Sequence, residues 1–204
     1  MDKETQDIIA VAEQLYMRYG IKSVSMDDVA RELGISKKTL YKYVANKHEL
    51  VERTMQCNGE KDMAVLERSA AESSDAIDEY LRNSRYFISE MRKISPSVFY
   101  DLKKYYPKIW DQQMVLHAEY FVEDLSRNIE RGIREGLYRD DINPKVIARI
   151  YAQTVMAIAD SSIFPAQKLS IDRIIHQHAL YHLNGIVSEA GRERLHDHLN
   201  QKEL

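Results

Sequence analysis

The sequence predicts an all-α protein, and three observations carry that prediction. Apolar residues recur at intervals of three and four instead of two, the period of a helix and not of a strand. Only 7 glycines and 4 prolines interrupt 204 residues. Serine, asparagine and proline cluster where new helices would begin, at Ser25, Ser36, Asn46, Ser74, Ser95-Pro96, Pro107, Asn143-Pro144 and Ser170.

The first helix is expected over residues 5–19, with Ile8, Ala12, Leu15, Tyr16 and Tyr19 on one face and Gly20 as its left-handed stop. Ser25 then offers a hydroxyl cap, and Asp27 and Asp28 place carboxylates in the first turn of a short helix that ends at Leu33. Gly34-Ile35 makes a turn, Ser36 caps a helix over residues 37–44, and Asn46 caps the next. Longer helices follow over about 47–72, 75–93, 96–105, 107–136, 144–164 and 171–189, with Gly136 as a second left-handed stop. Two of them carry wide apolar stripes: Ile147, Ile150, Tyr151, Thr154, Val155, Ile158 and Ser162 on one, Ile171, Ile174, Ile175, His178, Ile186 and Val187 on the other. Stripes that broad call for a helical partner. No Pro/Gly/Ser-rich linker or repeat divides the chain, so any domain boundary is expected inside continuous helix.

Composition narrows the function classes. Hydrophobic residues make up 44% and charged residues 30%, with 29 Lys and Arg against 32 Asp and Glu, a net charge of −3. That is the balance of a water-soluble globular protein. The single cysteine, Cys57, cannot form an intramolecular disulfide or a thiolate zinc site, which suits a reducing compartment. A charged N-terminus and the lack of an 18-residue apolar run match neither a signal peptide nor a membrane span, so a cytoplasmic location with no membrane partner is expected. Neither G-x-S-x-G, a phosphate loop nor G-x-G-x-x-G occurs, and an enzyme is not expected. No cofactor is implied. His178 and His182 stand at i and i+4 with His176 nearby, a spacing that can bind zinc. No carboxylate or cysteine joins them at ligand spacing, so polar residues at a helix interface are the expectation and no metal is assigned. His196 and His198 are expected at the surface.

The informative stretch is SMDDVARELGISKKTLYKYVANKHEL, residues 25–50. Ala30 lets two helices approach, Gly34 permits a positive φ between them, and Val29, Leu33, Ile35 and Leu40 fill a small core, the requirements of a helix-turn-helix. Between Ser36 and His48, Lys37, Lys38, Lys42 and Lys47 face no acidic residue, although residues 1–50 as a whole are neutral. The basicity is thus confined to one reading head that could enter a DNA major groove.

This stretch resembles the TetR family of bacterial transcriptional regulators, whose signature reads approximately G-[IV]-S-x-x-T-[LI]-Y-x-[YH]-F-x-x-K-x-x-L. Gly34, Ile35, Ser36, Thr39, Leu40, Tyr41, Tyr43, Lys47 and Leu50 match, and Val44 stands where the family usually has Phe. The likeness covers about the first 50 residues, with a weaker echo at GLYRDDINPKVIARI, residues 136–150. It implies a three-helix DNA-binding domain over residues 1–47 and a larger helical effector-binding and dimerisation domain over 48–204. It further implies a homodimer on a palindromic double-stranded DNA operator, repression as the default, and release by a small molecule.

Reach assigns roles within that frame. Lys37, Lys38 and Thr39 lie on the first turn of the recognition helix and are the candidates for base contact, a Lys to guanine O6/N7 and the Thr methyl to thymine. Tyr41, Lys42, Tyr43 and Lys47 are the phosphate candidates, helped by the free amides where the Lys47 helix begins. For Tyr41, packing is an equal alternative. The resemblance also implies an effector pocket for an apolar or aromatic compound. Trp110, Met114, His117 and Phe121 form its first stripe, with Tyr86, Phe87, Met91, Phe99, Tyr100 and Tyr151 facing it, unless these rings are plain core. Ile147, Ile150, Thr154, Ile158, Ile174, Ile175, His178 and Ile186 are the candidate dimer interface.

Overall fold

The computed structural model describes residues 1–95, 97–158, 163–164 and 170–201, with side chains 114–117 and 201 left out. Ten helices stand among the described residues: α1 Lys3–Tyr19, α2 Met26–Glu32, α3 Lys37–Leu40, α4 Lys47–Glu72, α5 Ala76–Lys93, α6 Ser97–Tyr105, α7 Pro107–Arg134, α8 Pro144–Ile158, α9 Ile171–Ile186 and α10 Glu189–Gln201. Pro96 and Ser162 of the sequence reading lie outside the described residues. No described helix is long and apolar enough to cross a membrane. The chain forms two compact units, residues 1–62 with 93–116 and residues 63–92 with 117–204. The divisions at 62/63 and 116/117 fall inside α4 and α7.

In the first unit α1, α2, α3, α6 and the start of α4 surround one apolar core that includes Ile9, Tyr16, Ile21, Val29, Leu40, Leu50 and Val51. α1 begins two residues earlier than expected because the Asp2 carboxylate accepts the Thr5 amide at 2.8 Å. It ends at Gly20, φ 84°. Along its C-terminal half runs α6, with the Ser95 amide donating to Met17 O at 2.7 Å and the Asp101 carboxylate accepting the Lys22 amide at 2.7 Å.

In the second unit the apolar core includes Ile77, Leu81, Ile129, Tyr151 and Leu183. A polar knot joins α5 to the C-terminal end of α7. Arg131 donates to Ser73 Oγ at 2.7 Å, to the buried Glu79 carboxylate at 2.9 Å and to Glu135 at 2.7 Å. Asn128 and the Tyr138 hydroxyl both donate to Ala76 O, at 2.9 and 3.1 Å. α7 closes at Gly136, φ 71°, with the Leu137 amide returning to Gly132 O and the Gly136 amide to Ile133 O, the paired bonds of a left-handed stop.

The sequence reading departs from the structure at the C-terminus. The helix expected over 171–189 ends at Ile186, where Val187 turns extended and bridges Tyr138. Ser188 then caps α10, its hydroxyl accepting the Gly191 amide at 3.0 Å. α10 escapes notice because its sequence, EAGRERLHDHLNQ, is mostly charged and turns a narrow Leu195 and Leu199 edge to the core. His198 is accordingly not a surface residue. Its Nε2 lies 3.0 Å from the Asp75 carboxylate, which Arg194 also meets at 2.7 Å and which caps α5 by accepting the Asp78 amide at 2.8 Å.

Burial alone would raise the Asp75 carboxyl, but the Asp78 amide, His198 and Arg194 outweigh it and hold it at about 2. A carboxyl depressed in the folded state stabilises above its unfolded pKa and loses that contribution as pH falls through the folded one. Asp75→Asn, which keeps a cap but not the charge, is therefore expected to be less stable at neutral pH by about 2 kcal/mol. The gap to the wild type should close between about pH 4 and pH 2, as read from urea midpoints at each pH; a gap independent of pH would remove the ionic role.

Candidate DNA-binding site

The reading head is built from its turn outward. Ser25 and Asp28 form a reciprocal cap on α2, with the Ser25 amide donating to Asp28 at 2.9 Å and the Asp28 amide to Ser25 Oγ at 3.2 Å. At the other end Gly34, φ 68°, gives its amide to Arg31 O at 3.1 Å, and the Ile35 amide reaches Ala30 O at 3.0 Å. These two bonds satisfy carbonyls the helix end would leave open and aim the chain into α3. Ser36 caps α3, its Oγ accepting the Thr39 amide at 3.1 Å.

α3 is regular only over Lys37–Leu40, where the sequence predicts a helix to residue 44. Beyond Leu40 the Lys42 amide bonds to Thr39 O and the Tyr43 amide to Leu40 O, tighter i to i+3 contacts that wind the last turn. The tightening accompanies the burial of Leu40 at 0% and Val44 at 1% exposure, with Tyr43 half-buried against the same core. Asn46 then caps α4 at the Glu49 amide, 3.0 Å, while Glu49 reaches back to the Ala45 amide at 2.6 Å.

The four lysines do not stand alike. Lys37 is exposed, yet its ammonium pairs with Asp27 at 2.9 Å. Among the described residues, exposed Lys38 and Lys42 meet no carboxylate or hydrogen-bond acceptor. Lys47 is turned inward, its Nζ donating to Ile21 O at 2.6 Å. Burial lowers its pKa, with the charges of Asp101 and Asp28 opposing in part. Thr39 is half-buried, and its hydroxyl sits 2.8 Å from Ser36 Oγ, which leaves the methyl as its free group. Tyr41 is 43% exposed.

Elsewhere the structure brings together some of the expected effector residues and separates others. In the second unit Tyr86 and Phe87 meet edge to face at 5.3 Å, Phe87 meets Phe121 at 6.0 Å, and Phe121 stacks with Tyr151 at 5.7 Å. Three rings not expected in this group, Tyr80, His178 and His182, complete it. Tyr80 stacks on His182 at 5.4 Å, and Tyr151 contacts His178 at 4.4 Å and His182 at 4.5 Å. Their i, i+4 spacing on α9 and Tyr80 on the apolar face of α5 were the available signals. Burial pushes His182 down to about 3, with His178 adding to it, so its ring is neutral at pH 7. His178 Nδ1 and His182 Nε2 are buried without a hydrogen-bond partner among the described residues. Met91 packs in a separate cluster with Ile88, Ile158 and Ile175. Phe99 and Trp110 pair with each other at 6.4 Å in the first unit, where Tyr100 is 56% exposed. Met114 and His117 fall among the side chains not described.

Of the expected dimer residues, Ile150 is 58% exposed and Thr154 half-buried. Ile158, Ile175 and Ile186 are buried inside their own unit, His178 stacks within it, and Ile147 and Ile174 are half-buried against its cores.

Comparison with known proteins follows this geometry. Residues 8–54, from the second turn of α1 to the second turn of α4, match the family model described as bacterial regulatory proteins, tetR family. Residues 8–54 are thus a tetR-family DNA-binding domain, and the chain that carries it is a DNA-binding transcriptional regulator. An uncharacterized HTH-type transcriptional regulator of Bacillus subtilis (strain 168), YfiR, is 23% identical over 88% of this chain and 90% of its own length. Among solved structures, a TetR-family regulator of Agrobacterium tumefaciens is similar with a TM-score of 0.73 at 17% identity, covering 91% of this chain and 98% of that one. SmeT, the repressor of the Stenotrophomonas maltophilia multidrug efflux pump SmeDEF, is similar with a TM-score of 0.63 at 16% identity and 91% coverage of each chain. SmeT has also been solved in complex with triclosan. At these identities the structural likeness bears on the fold.

A Cβ at Gly34 would meet nothing within 4 Å, so only its left-handed backbone resists substitution. Gly34→Ala is expected to cost about 1 kcal/mol in chemical denaturation, and Gly34→Asn distinctly less, since Asn tolerates that region. Equal losses for both would show that the turn is held by something other than its φ.

Proposed function

We propose that the chain is a sequence-specific transcriptional repressor that binds a palindromic operator as a homodimer and is released by a small molecule. In this reading residues 1–47 form the DNA-binding domain, and residues 48–204 the effector-binding and dimerisation domain. The observation that carries it is the exposed edge of α3 and the turn after it, where Lys38 and Lys42 stand unneutralised on either side of Thr39 on a segment fixed by buried Leu40 and Val44. Lys37, Lys38 and Thr39 read base edges, a lysine through guanine acceptors and the threonine through its methyl. Lys37 exchanges its Asp27 partner for DNA. Tyr41, Lys42, Tyr43 and Lys47 position the head on phosphates, Lys47 while keeping its Ile21 carbonyl bond, since an ammonium has three donors.

Dimerisation is supported by large apolar side chains that the second unit leaves in water: Val146 at 53% and Ile150 at 58% on α8, and Tyr181 at 81% on α9. A shallow apolar cleft lined by Ile150, Thr154, Ala157, Ile163 and Phe164 continues that surface. Faces of this kind are normally covered by a second chain, and a two-fold pair presents its heads about 34 Å apart, one DNA turn. The ring group Tyr80, Phe87, Phe121, Tyr151, His178 and His182 supports an apolar or aromatic effector, because flat ligands replace ring contacts and the two open imidazole nitrogens can orient a polar tip. The efflux-pump repressor SmeT and its triclosan complex are in line with both the repressing role and that ligand chemistry. Binding that favours one spacing of the heads over another would shift the population away from the operator-bound state.

Selection from a random DNA pool tests this reading. A palindrome bound by two chains, with affinity falling steeply as salt rises, is expected; no enriched sequence, with candidate effectors absent, would overturn it. On the selected duplex, Lys38→Ala and Thr39→Ala are each expected to relax preference at particular base pairs, at a cost of about 1–3 kcal/mol. A uniform loss over all operator variants would make them positioning residues.

A further inference from the structure

Outside the signature, the first unit carries a second basic surface. Lys22, in the turn between α1 and α2, donates its ammonium to the Tyr105 hydroxyl at 2.9 Å and lies 4.9 Å from the centre of that ring. Lys104 donates to the Tyr100 hydroxyl at 2.7 Å and lies 5.5 Å from the Tyr105 ring. Lys103 and Lys108 are exposed on the same stretch of chain, and Tyr100 and Tyr105 are 56% and 39% exposed. Asp101, whose charge acts on Lys22, is 5% exposed and spends one oxygen on the Lys22 amide.

Two features set this surface apart from an ordinary solvated face. Lys22 and Lys104 are paired with neutral phenols, so their positive charge is held in place without being cancelled, unlike that of Lys37 beside Asp27. The hydrogen bonds that Lys22 and Lys104 donate to Tyr105 and Tyr100 raise their pKa values. The surface is also continuous with the reading head. Lys47, at the start of α4, donates to Ile21 O at 2.6 Å and approaches Lys22 O at 3.5 Å, and Ser25, three residues beyond Lys22, is the cap of α2. The C-terminal turn of α6, with Lys103 and Lys104, therefore stands beside the turn that leads into α2, the first helix of the helix-turn-helix.

Resting on the reading of the chain as an operator-binding protein, we propose that Lys22 and Lys104, braced by Tyr105 and Tyr100, form an auxiliary phosphate-binding surface that extends the DNA footprint beyond the recognition helix. Its ligand is the sugar-phosphate backbone of the operator duplex. Because tethered ammonium groups contact phosphates and no base edge, they add affinity and salt dependence but no sequence preference. The geometry also makes the contact conditional: α6 reaches Lys22 through Asp101 and Tyr105, so a displacement of α6 would withdraw Lys104 and untether Lys22 together.

The test compares the full-length protein with a Lys22→Ala/Lys104→Ala double variant on the selected duplex over a range of salt concentrations. Each lost phosphate contact is expected to flatten the plot of log K against log salt by about 0.9, with base preferences unchanged and the thermal midpoint preserved. Lys22→Arg/Lys104→Arg should restore the wild-type slope. Lys145→Ala, an exposed lysine of the second unit, should not alter it. A double variant with the wild-type slope, or an equal flattening by Lys145→Ala, would overturn the proposal while leaving the operator-binding reading intact. A wild-type chain that binds no DNA would remove both.

Discussion

A helix of four residues cannot hold itself in water, and the whole reading head depends on that fact. One turn fixes several backbone dihedrals for very few hydrogen bonds, a nucleus that is unfavourable in isolation. α3 stands because Leu40 and Val44 are buried in a core supplied by α1, α2 and α4, and because Gly34 bends the chain so that both can reach it. The same core fixes the helix that carries Lys38 and Thr39. The placement of the candidate base-reading side chains is thus a property of packing first and of their own polar contacts second.

The charges of the head follow a similar economy. Four lysines look equivalent in the sequence, but one is paired with a carboxylate, one is anchored to a backbone carbonyl, and two remain exposed and unneutralised. Lys47 ties the start of α4 to the turn after α1, and its ammonium keeps further donors for the phosphate contact proposed for it. Lys22 and Lys104 use tyrosine hydroxyls instead of carboxylates, which preserves positive potential where a neutral chain needs it concentrated. An overall charge of −3 is compatible with DNA binding because residues 36–48 carry four lysines and no carboxylate.

The helix-turn-helix was legible in the sequence almost residue by residue, since its constraints are local: a cap, a small residue, a positive φ and a lysine run. The long helices were legible for the same reason, through proline starts and glycine stops, and α4 begins and ends where its sequence says. What escaped depends on partners distant in the chain. α10 and the Asp75, Arg194 and His198 cluster join residues some 120 positions apart. The wide apolar stripes of α8 and α9 gave no way to tell the face spent on their own unit, at Ile158, Ile175 and Ile186, from the face left outward at Val146, Ile150 and Tyr181. The aromatic residues expected in one pocket share a helical period but divide between two units, because α7 runs through both.

Native-state hydrogen exchange of the free protein tests the central claim most directly, that the reading head is preformed by tertiary packing. The amides of Leu40, Tyr41 and Val44, bonded to Ser36, Lys37 and Leu40 carbonyls, are predicted to exchange with the same opening free energy as Val29 and Leu50 in the surrounding core. Fast exchange of residues 37–44 beside a protected core, with protection gained only on adding the selected duplex, would contradict it and make α3 a segment that folds on DNA.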